Sequence, residues 1–408
     1  MALGLFRRLV APYIFLPLLY VTGTMAYLFM SIINVDFPFR YHAEYTVGLF
    51  KVGAFYVLLA SCSFISYAVS LQWLRCPYAT AGVSAWAFAA RRLARMLMVM
   101  GVITILIYTY LVISDFGVGR IWTDIILGNK QLGILTRYKE RIPFIGAFHF
   151  LLPTAATLYA ICQFHKGLRI SALEWSILLG ISVLRSFVSV ARLYIVWTIL
   201  PIIIVGLSSP DFRVRKRMGM RSIIGAIVFV GFFTLQGVLR SYRDGSWGSV
   251  AVYGGTMLFY YLVGGLHYSA VLGSSGSPYS FPIESTRWLQ TIGTSSRWER
   301  SIDYDAFQAT YGLPSFNTYG LFGTLYLDFG DWVFAVAMFI GLWLGILYAL
   351  YRRRCVSGLI LYSVVFPYLA DSLRINAFVV TQGVIPIATG IMSAVILGLH
   401  LRIRRKRG

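Results

Sequence analysis

LEWSILLGISVLRSFVSVARLYIVWTILPIIIVGL, residues 173–207, runs for 35 residues with ionisable side chains only at Glu174, Arg185 and Arg192. A single helix of that length would rise about 50 Å, well beyond a hydrocarbon core about 30 Å thick. The stretch therefore reads as two membrane crossings joined by a tight turn near residues 185–192. Apolar runs of similar character recur at 10–33, 48–71, 93–114, 143–163, 219–239, 333–351, 356–368 and 377–401. With the hairpin they predict ten spans and place both termini on one side.

Composition leads to the same class. Of 408 residues, 58% are hydrophobic and 12% charged, whereas soluble domains carry about a quarter charged residues. Too few ionisable groups remain to coat a soluble surface of this size. A water-soluble enzyme, an extracellular disulfide module and a disordered scaffold are excluded, and an all-α polytopic integral membrane protein remains. The net charge is +21, from 36 Lys and Arg against 15 Asp and Glu. The ten-span reading puts 21 of those cations and two acids on the side of the termini, leaving 15 cations and 13 acids opposite. By the positive-inside rule the first side is cytoplasmic. The blocks RVRKR (213–217), RRR (352–354) and RIRRKRG (402–408) then read as topology anchors against lipid phosphate, not as a nucleic-acid site.

The four cysteines are one in a span (Cys62) and three at cytoplasmic ends (Cys76, Cys162, Cys355), so no disulfide is expected. With no CxxC or HExxH spacing and five scattered histidines, neither a metal nor a cofactor is expected.

The exported face is dominated by one long late segment, 240–332. It must contain an even number of crossings, because the span before it exits and RRR at 352–354 returns inward. Its apolar part, VYGGTMLFYYLVGGLHYSAVL (252–272), holds four glycines and a histidine. It reads as a re-entrant or interfacial helical segment, since irregular backbone at membrane depth survives only under protein or a wet cavity. Two crossings within 240–332, giving twelve in all, are the alternative. The segment interleaves aromatic residues with Arg240, Arg243, Arg287, Arg297 and Arg300. Aromatic faces suit sugar rings or an interfacial belt, and arginine forks suit phosphate or carboxylate. Arg185 and Arg192 lie in an apolar stretch, where a cation costs roughly 2.5 kcal/mol or more and normally faces an anion or a cavity. Asp371 and Arg374 bracket the last outer turn, as partners for such groups or for each other.

Four stretches carry a resemblance: SVARLYIVWTILPIII (189–204), YYLVGGLHY (260–268), FNTYGLFGTLYLDFGDW (316–332) and SLRINAF (372–378). In the third, Asn317, Thr318 and Tyr319 and the triplet Asp328-Phe329-Gly330 precede a span. These resemble the corresponding segments of Wzy-type O-antigen polymerases, the oligosaccharide repeat-unit polymerases, which the chain is also similar to in size, span count and long late outer loop. The resemblance implies a metal-independent, GT-C-like membrane glycosyltransferase at the outer face of the bacterial inner membrane. It implies donor and acceptor oligosaccharides linked to undecaprenyl diphosphate, with a chain-length regulator protein as a further partner and no role for nucleic acid.

Such chemistry needs negative charge stabilised on a departing diphosphate and a proton taken from the acceptor hydroxyl. Arg185, Arg192, Arg240, Arg243, Arg287 and Arg374 are the diphosphate candidates. Asp328, Asp244, His267 and Asp371 are the candidate bases, although Asp328 also suits a cap on the following helix and Asp244 a pair with Arg243 or Arg240. Asn317, Tyr319 and Asn376 are the candidate sugar contacts. The O-antigen ligase, which uses the same donor, is the nearest alternative. A flippase or transporter is a second one, disfavoured by the absence of an internal repeat.

Overall fold

The computed structural model describes residues 10–33, 42–74, 83–119, 148–188, 193–225, 263–275, 307, 310–311, 319–374, 376 and 381–407. Among these the chain is helical, with no strand. The helices are α1 (Pro12–Ile33), α2 (Thr46–Trp73), α3 (Val83–Phe116), α4 (Leu152–Lys166), α5 (Ala172–Val188) and α6 (Leu193–Leu207). Helical stretches α7 (212–225) and α8 (263–275) come next. The last four are α9 (Gly320–Phe329), α10 (Val333–Arg352), α11 (Val356–Ala370) and α12 (Thr381–Arg407). Five segments are long and apolar enough to cross a membrane: Pro12–Phe29, Ala43–Trp73, Trp86–Asp115, Gly320–Arg352 and Gly383–His400. Large apolar side chains such as Phe50, Phe64, Tyr110, Phe339 and Met392 stand exposed along these helices. In water that would be a liability; against lipid tails it is the ordinary surface of a membrane protein.

The 35-residue apolar stretch of 173–207 is indeed two helices, α5 and α6, packed on each other. Ser182 Oγ, 3.2 Å from Thr198 Oγ1, ties them together. The start of α5 is fixed by a reciprocal cap. Ser171 Oγ accepts the Glu174 N–H (3.2 Å) while Glu174 Oε2 accepts the Ser171 N–H (3.0 Å), which satisfies two donors that a helix start leaves orphaned.

Lipid gives helices no hydrophobic reason to associate, so close packing must supply the attraction. The α2–α10 pair shows how. Gly341 and Gly345, one turn apart, let the backbones meet. A Cβ on Gly341 would fall 2.4 Å from the Leu59 carbonyl oxygen, and one on Gly345 2.3 Å from that of Ser63. The small residues Cys62, Ser63, Ser66 and Ser70 line the facing side of α2, and Ser66 Oγ donates to the Leu342 carbonyl at 2.7 Å. The two helices run parallel. Lys51 meets Asp331 at one end, here called the upper end, and Arg353 donates to the Leu71 carbonyl at the lower end.

At the centre stands α4, buried at every position from Leu152 to Cys162 and packed on α3, α6 and α11. It stops at Gly167, whose φ of +66° lets the Leu168 N–H reach back to the Cys162 carbonyl (3.0 Å). At the lower end Arg91 and Arg95 of α3, also one turn apart, share the Glu174 carboxylate at 2.6 and 2.7 Å. Hydropathy places residues 83–92 outside a span; the helix continues through them because their cations find that acid.

One expectation fails here. Cys355 is disulfide-bonded, to a partner outside the described residues, whereas Cys62 and Cys162 are free and buried. The compartment rule looks only at which side a cysteine lies on. The fold presses the turn after α10 against the end of α2, through Arg353 and Leu71.

Candidate functional site

Two groups of predicted residues gather at the upper end. The first surrounds Arg185, the last basic residue of α5. Its side chain is 2% exposed. The guanidinium carbon lies 4.3 Å from the Tyr108 ring centroid and 4.9 Å from that of Tyr194, and Nη2 lies 3.3 Å from His149 Nε2. A guanidinium offers only donors, so His149 Nε2 is the acceptor and the imidazole is the Nδ1–H tautomer. His149 itself rests on Phe150 (3.8 Å between centroids) and edge-on to Tyr194 (5.4 Å). The aromatic row continues from Tyr194 to Trp197 (5.5 Å) and on to Tyr368 (5.7 Å). Five elements therefore contribute: α3, the turn before α4, α5, α6 and α11.

The second group is a platform made by the late segments. Tyr368 precedes the turn 371–374 by one helical turn, and this turn fits into a notch that only glycine can form. A Cβ at Gly265 of α8 would lie 2.1 Å from the Leu373 carbonyl, and one at Gly320, whose φ is +63°, 2.7 Å from it. The orphaned first donors of α9 are answered there. The Gly320 N–H goes to the Arg374 carbonyl (3.1 Å) and the Leu321 N–H to that of Ser372 (2.7 Å). Arg374 grips Asp371 with two bonds, Nε–Oδ1 at 2.7 Å and Nη2–Oδ2 at 2.5 Å. Burial pushes the Asp371 carboxyl up from the ordinary range, and the Arg374 guanidinium pulls it back. Of the two roles open to this pair in the sequence, mutual pairing is the one observed.

His267 on α8 is 1% exposed. Its Nδ1 lies 2.7 Å from the Tyr27 hydroxyl and its Nε2 2.6 Å from the Tyr311 carbonyl. A carbonyl only accepts, so Nε2–H donates to it and Nδ1 accepts from Tyr27. Each ring nitrogen thus holds a protein group, and the residue pins α1, α8 and residue 311 together. Tyr319 is buried at the start of α9, its ring near Tyr268 (5.4 Å) and Phe307 (5.9 Å) and its carbonyl accepting from Ser269 Oγ (2.7 Å).

Asp328 is 1% exposed near the end of α9. The N-cap positions of the next two elements are Phe329 and Trp332, so Asp328 stands just before them. Nearby, Asp331 pairs with Lys51 at 3.2 Å. Asn376 is buried after the turn. Asp244, Arg192, Arg240, Arg243, Arg287 and Asn317 lie outside the described residues, as do 252–262 of the segment 252–272, whose remaining residues 263–272 belong to the helix α8.

Sequence reasoning missed His149, Tyr108, Tyr194 and Tyr27. A lone histidine or tyrosine in an apolar run carries no spacing signal, and only the fold brings these residues to Arg185 and His267. Comparison with protein-family models, with curated proteins and with solved structures returns no match.

Proposed function

We propose that the protein is a membrane glycosyltransferase of the O-antigen polymerase type, joining oligosaccharide repeat units linked to undecaprenyl diphosphate at the periplasmic face of the inner membrane. On this reading the chain crosses the membrane ten times with a GT-C-like architecture, and both termini are cytoplasmic. The observation that carries the proposal is the buried Arg185–His149 contact, set in an aromatic row at the end of an apolar helical bundle. A guanidinium held within 5 Å of two tyrosine rings is a preorganised anion ligand in a medium of low dielectric, and aromatic faces beside it suit pyranose rings.

In the transfer, the bond between the anomeric carbon and the phosphate oxygen of the donor breaks. Its electron pair leaves with undecaprenyl diphosphate, whose growing charge Arg185 stabilises. The acceptor hydroxyl oxygen forms the new bond to the anomeric carbon and gives up its proton. His149 Nε2, already an acceptor toward Arg185, is suited to receive that proton once Arg185 turns to phosphate. In this scheme His267 and the Asp371–Arg374 pair hold the platform in shape, and Asp328 remains the carboxylate alternative to His149.

Deleting the gene in a strain that makes long-chain lipopolysaccharide tests the proposal. The expected product is lipid A core capped with a single repeat unit instead of a ladder. Complete loss of surface glycan would replace the reading with a ligase or a flippase, and an unchanged ladder would remove it.

A further inference from the structure

The lower end of the bundle gathers cations from segments far apart in sequence. Tyr351 Oη donates to the Ile204 carbonyl (2.8 Å), drawing the turn after α10 to the end of α6. Ser209 Oγ donates to the Phe164 carbonyl (2.9 Å), and His165 Nε2 lies 2.9 Å from Ser208 Oγ, which fastens the end of α4 to the same place. Arg215 Nη1 is fixed beneath by the carbonyls of Ser209 (2.6 Å) and Pro210 (2.8 Å). Lys166, Arg215, Arg352 and Arg354 lie around this knot, all of them half-buried, with the Lys166 ammonium over the Trp86 ring (5.3 Å).

Arg354 is the one described residue other than glycine with positive φ, +56°, a conformation an L side chain adopts at a cost. There it faces Arg215 and Arg352, and burial together with those two like charges lowers its pKa. Among the described residues, none of the four cations is in an ion pair with a carboxylate, although Arg91 and Arg95 at the same end share Glu174. The acid closest in sequence, Asp211, accepts the Arg213 backbone N–H instead (2.8 Å). Half-buried like charges held together by neutral contacts repel one another and are relieved by an anion placed between them. Directly beside them, α7 leaves Phe212, Met220 and Ile224 more than half exposed, which is a surface for an acyl chain and not for water.

We infer that this cradle binds the phosphate of an anionic phospholipid headgroup, held by Arg215 and Arg354, with an acyl chain along α7. The inference is independent of the glycosyltransferase reading. The test uses full-length protein in neutral detergent, with melting followed as cardiolipin, phosphatidylglycerol, phosphatidylcholine or inorganic pyrophosphate is added. The two anionic lipids should raise the melting temperature and the other two should not. In the double variant Arg215→Gln, Arg354→Gly the lipid concentration for half the effect should rise about thirtyfold, two arginines' worth of headgroup attraction. Arg354→Gly alone should weaken the response without lowering the melting temperature in detergent, since glycine takes the same φ freely; it carries the test if the double variant does not fold. Stabilisation by phosphatidylcholine or pyrophosphate equal to that by the anionic lipids, or an unchanged response in the variants, would overturn the inference.

Discussion

Arg185 owes its interest to what touches it. A lysine there would keep the positive charge and much of the length but lose the flat fork that lies on Tyr108 and Tyr194. The lost stacking is about 2 kcal/mol or less, so Arg185→Lys should still reach the membrane at near-normal levels. If Arg185 stabilises the leaving diphosphate, polymerisation should nevertheless drop about a hundredfold, as when one oriented donor is removed from a transition state. Gel profiles of the glycan beside immunoblots of membranes separate the two effects; full ladders at normal expression would take Arg185 out of the site. His149→Gln is the sharper probe, because glutamine keeps an acceptor near Arg185 but cannot hold the transferred proton. At normal membrane levels the variant should turn over lipid-linked repeat units in vitro about a hundredfold more slowly than wild type. Turnover at the wild-type rate would make His149 structural. His267 is one of the candidate bases in the sequence, and both of its ring nitrogens hold protein groups, the Tyr27 hydroxyl and the Tyr311 carbonyl.

At the scale of elements, hydropathy alone locates several helices to within a few residues, though α3 begins ten residues before its apolar run. The apolar run 10–33 is the helix Pro12–Ile33, 48–71 is Thr46–Trp73, and 333–351 is Val333–Arg352. The hairpin of α5 and α6 is legible for a simple reason: thickness forbids a 35-residue crossing. What sequence could not supply was which helix lies against which, and the site depends on that. Arg185 meets Tyr108 across the contact of α5 with α3, and the turn 371–374 meets Gly265 only through the packing of the late segments. The glycines that control such contacts make their own prediction. Gly345→Ala drives a methyl group into the Ser63 carbonyl, so α2 and α10 must separate at about 1–3 kcal/mol. Gly180→Ala, in open space on α5, should be neutral or stabilising. Melting of the two variants in detergent checks the contrast, and equal melting would mean that the α2–α10 contact is looser than described. Glu174→Gln should also destabilise, by about 2–3 kcal/mol: it leaves Arg91 facing no charge, while the half-exposed Arg95 loses little.

For the whole molecule the scarce charge has two jobs. Most of the +21 excess falls on the blocks 213–217, 352–354 and 402–408, and the described parts of the first two sit at the lower end, with Arg353 and the cradle. Among the described residues, several charges of the upper end are held in pairs or in aromatic surroundings: Lys51 with Asp331, Asp371 with Arg374, and Arg185 among tyrosines. That division is what a chain needs if its lower end faces anionic lipid in the cytoplasm and its upper end handles an anionic substrate outside. The proposed orientation can be measured without any knowledge of the reaction. Glu44 lies exposed at the upper end beside the start of α2, and Arg217 lies exposed at the lower end on α7. In a cysteine-free background, Glu44→Cys should react with a membrane-impermeant maleimide in intact spheroplasts. Arg217→Cys should react only after the membrane is opened. The opposite pattern would invert the protein, turn the Arg185 site toward the cytoplasm where lipid-linked units are not polymerised, and force the proposed reaction to be abandoned even if the fold stood unchanged.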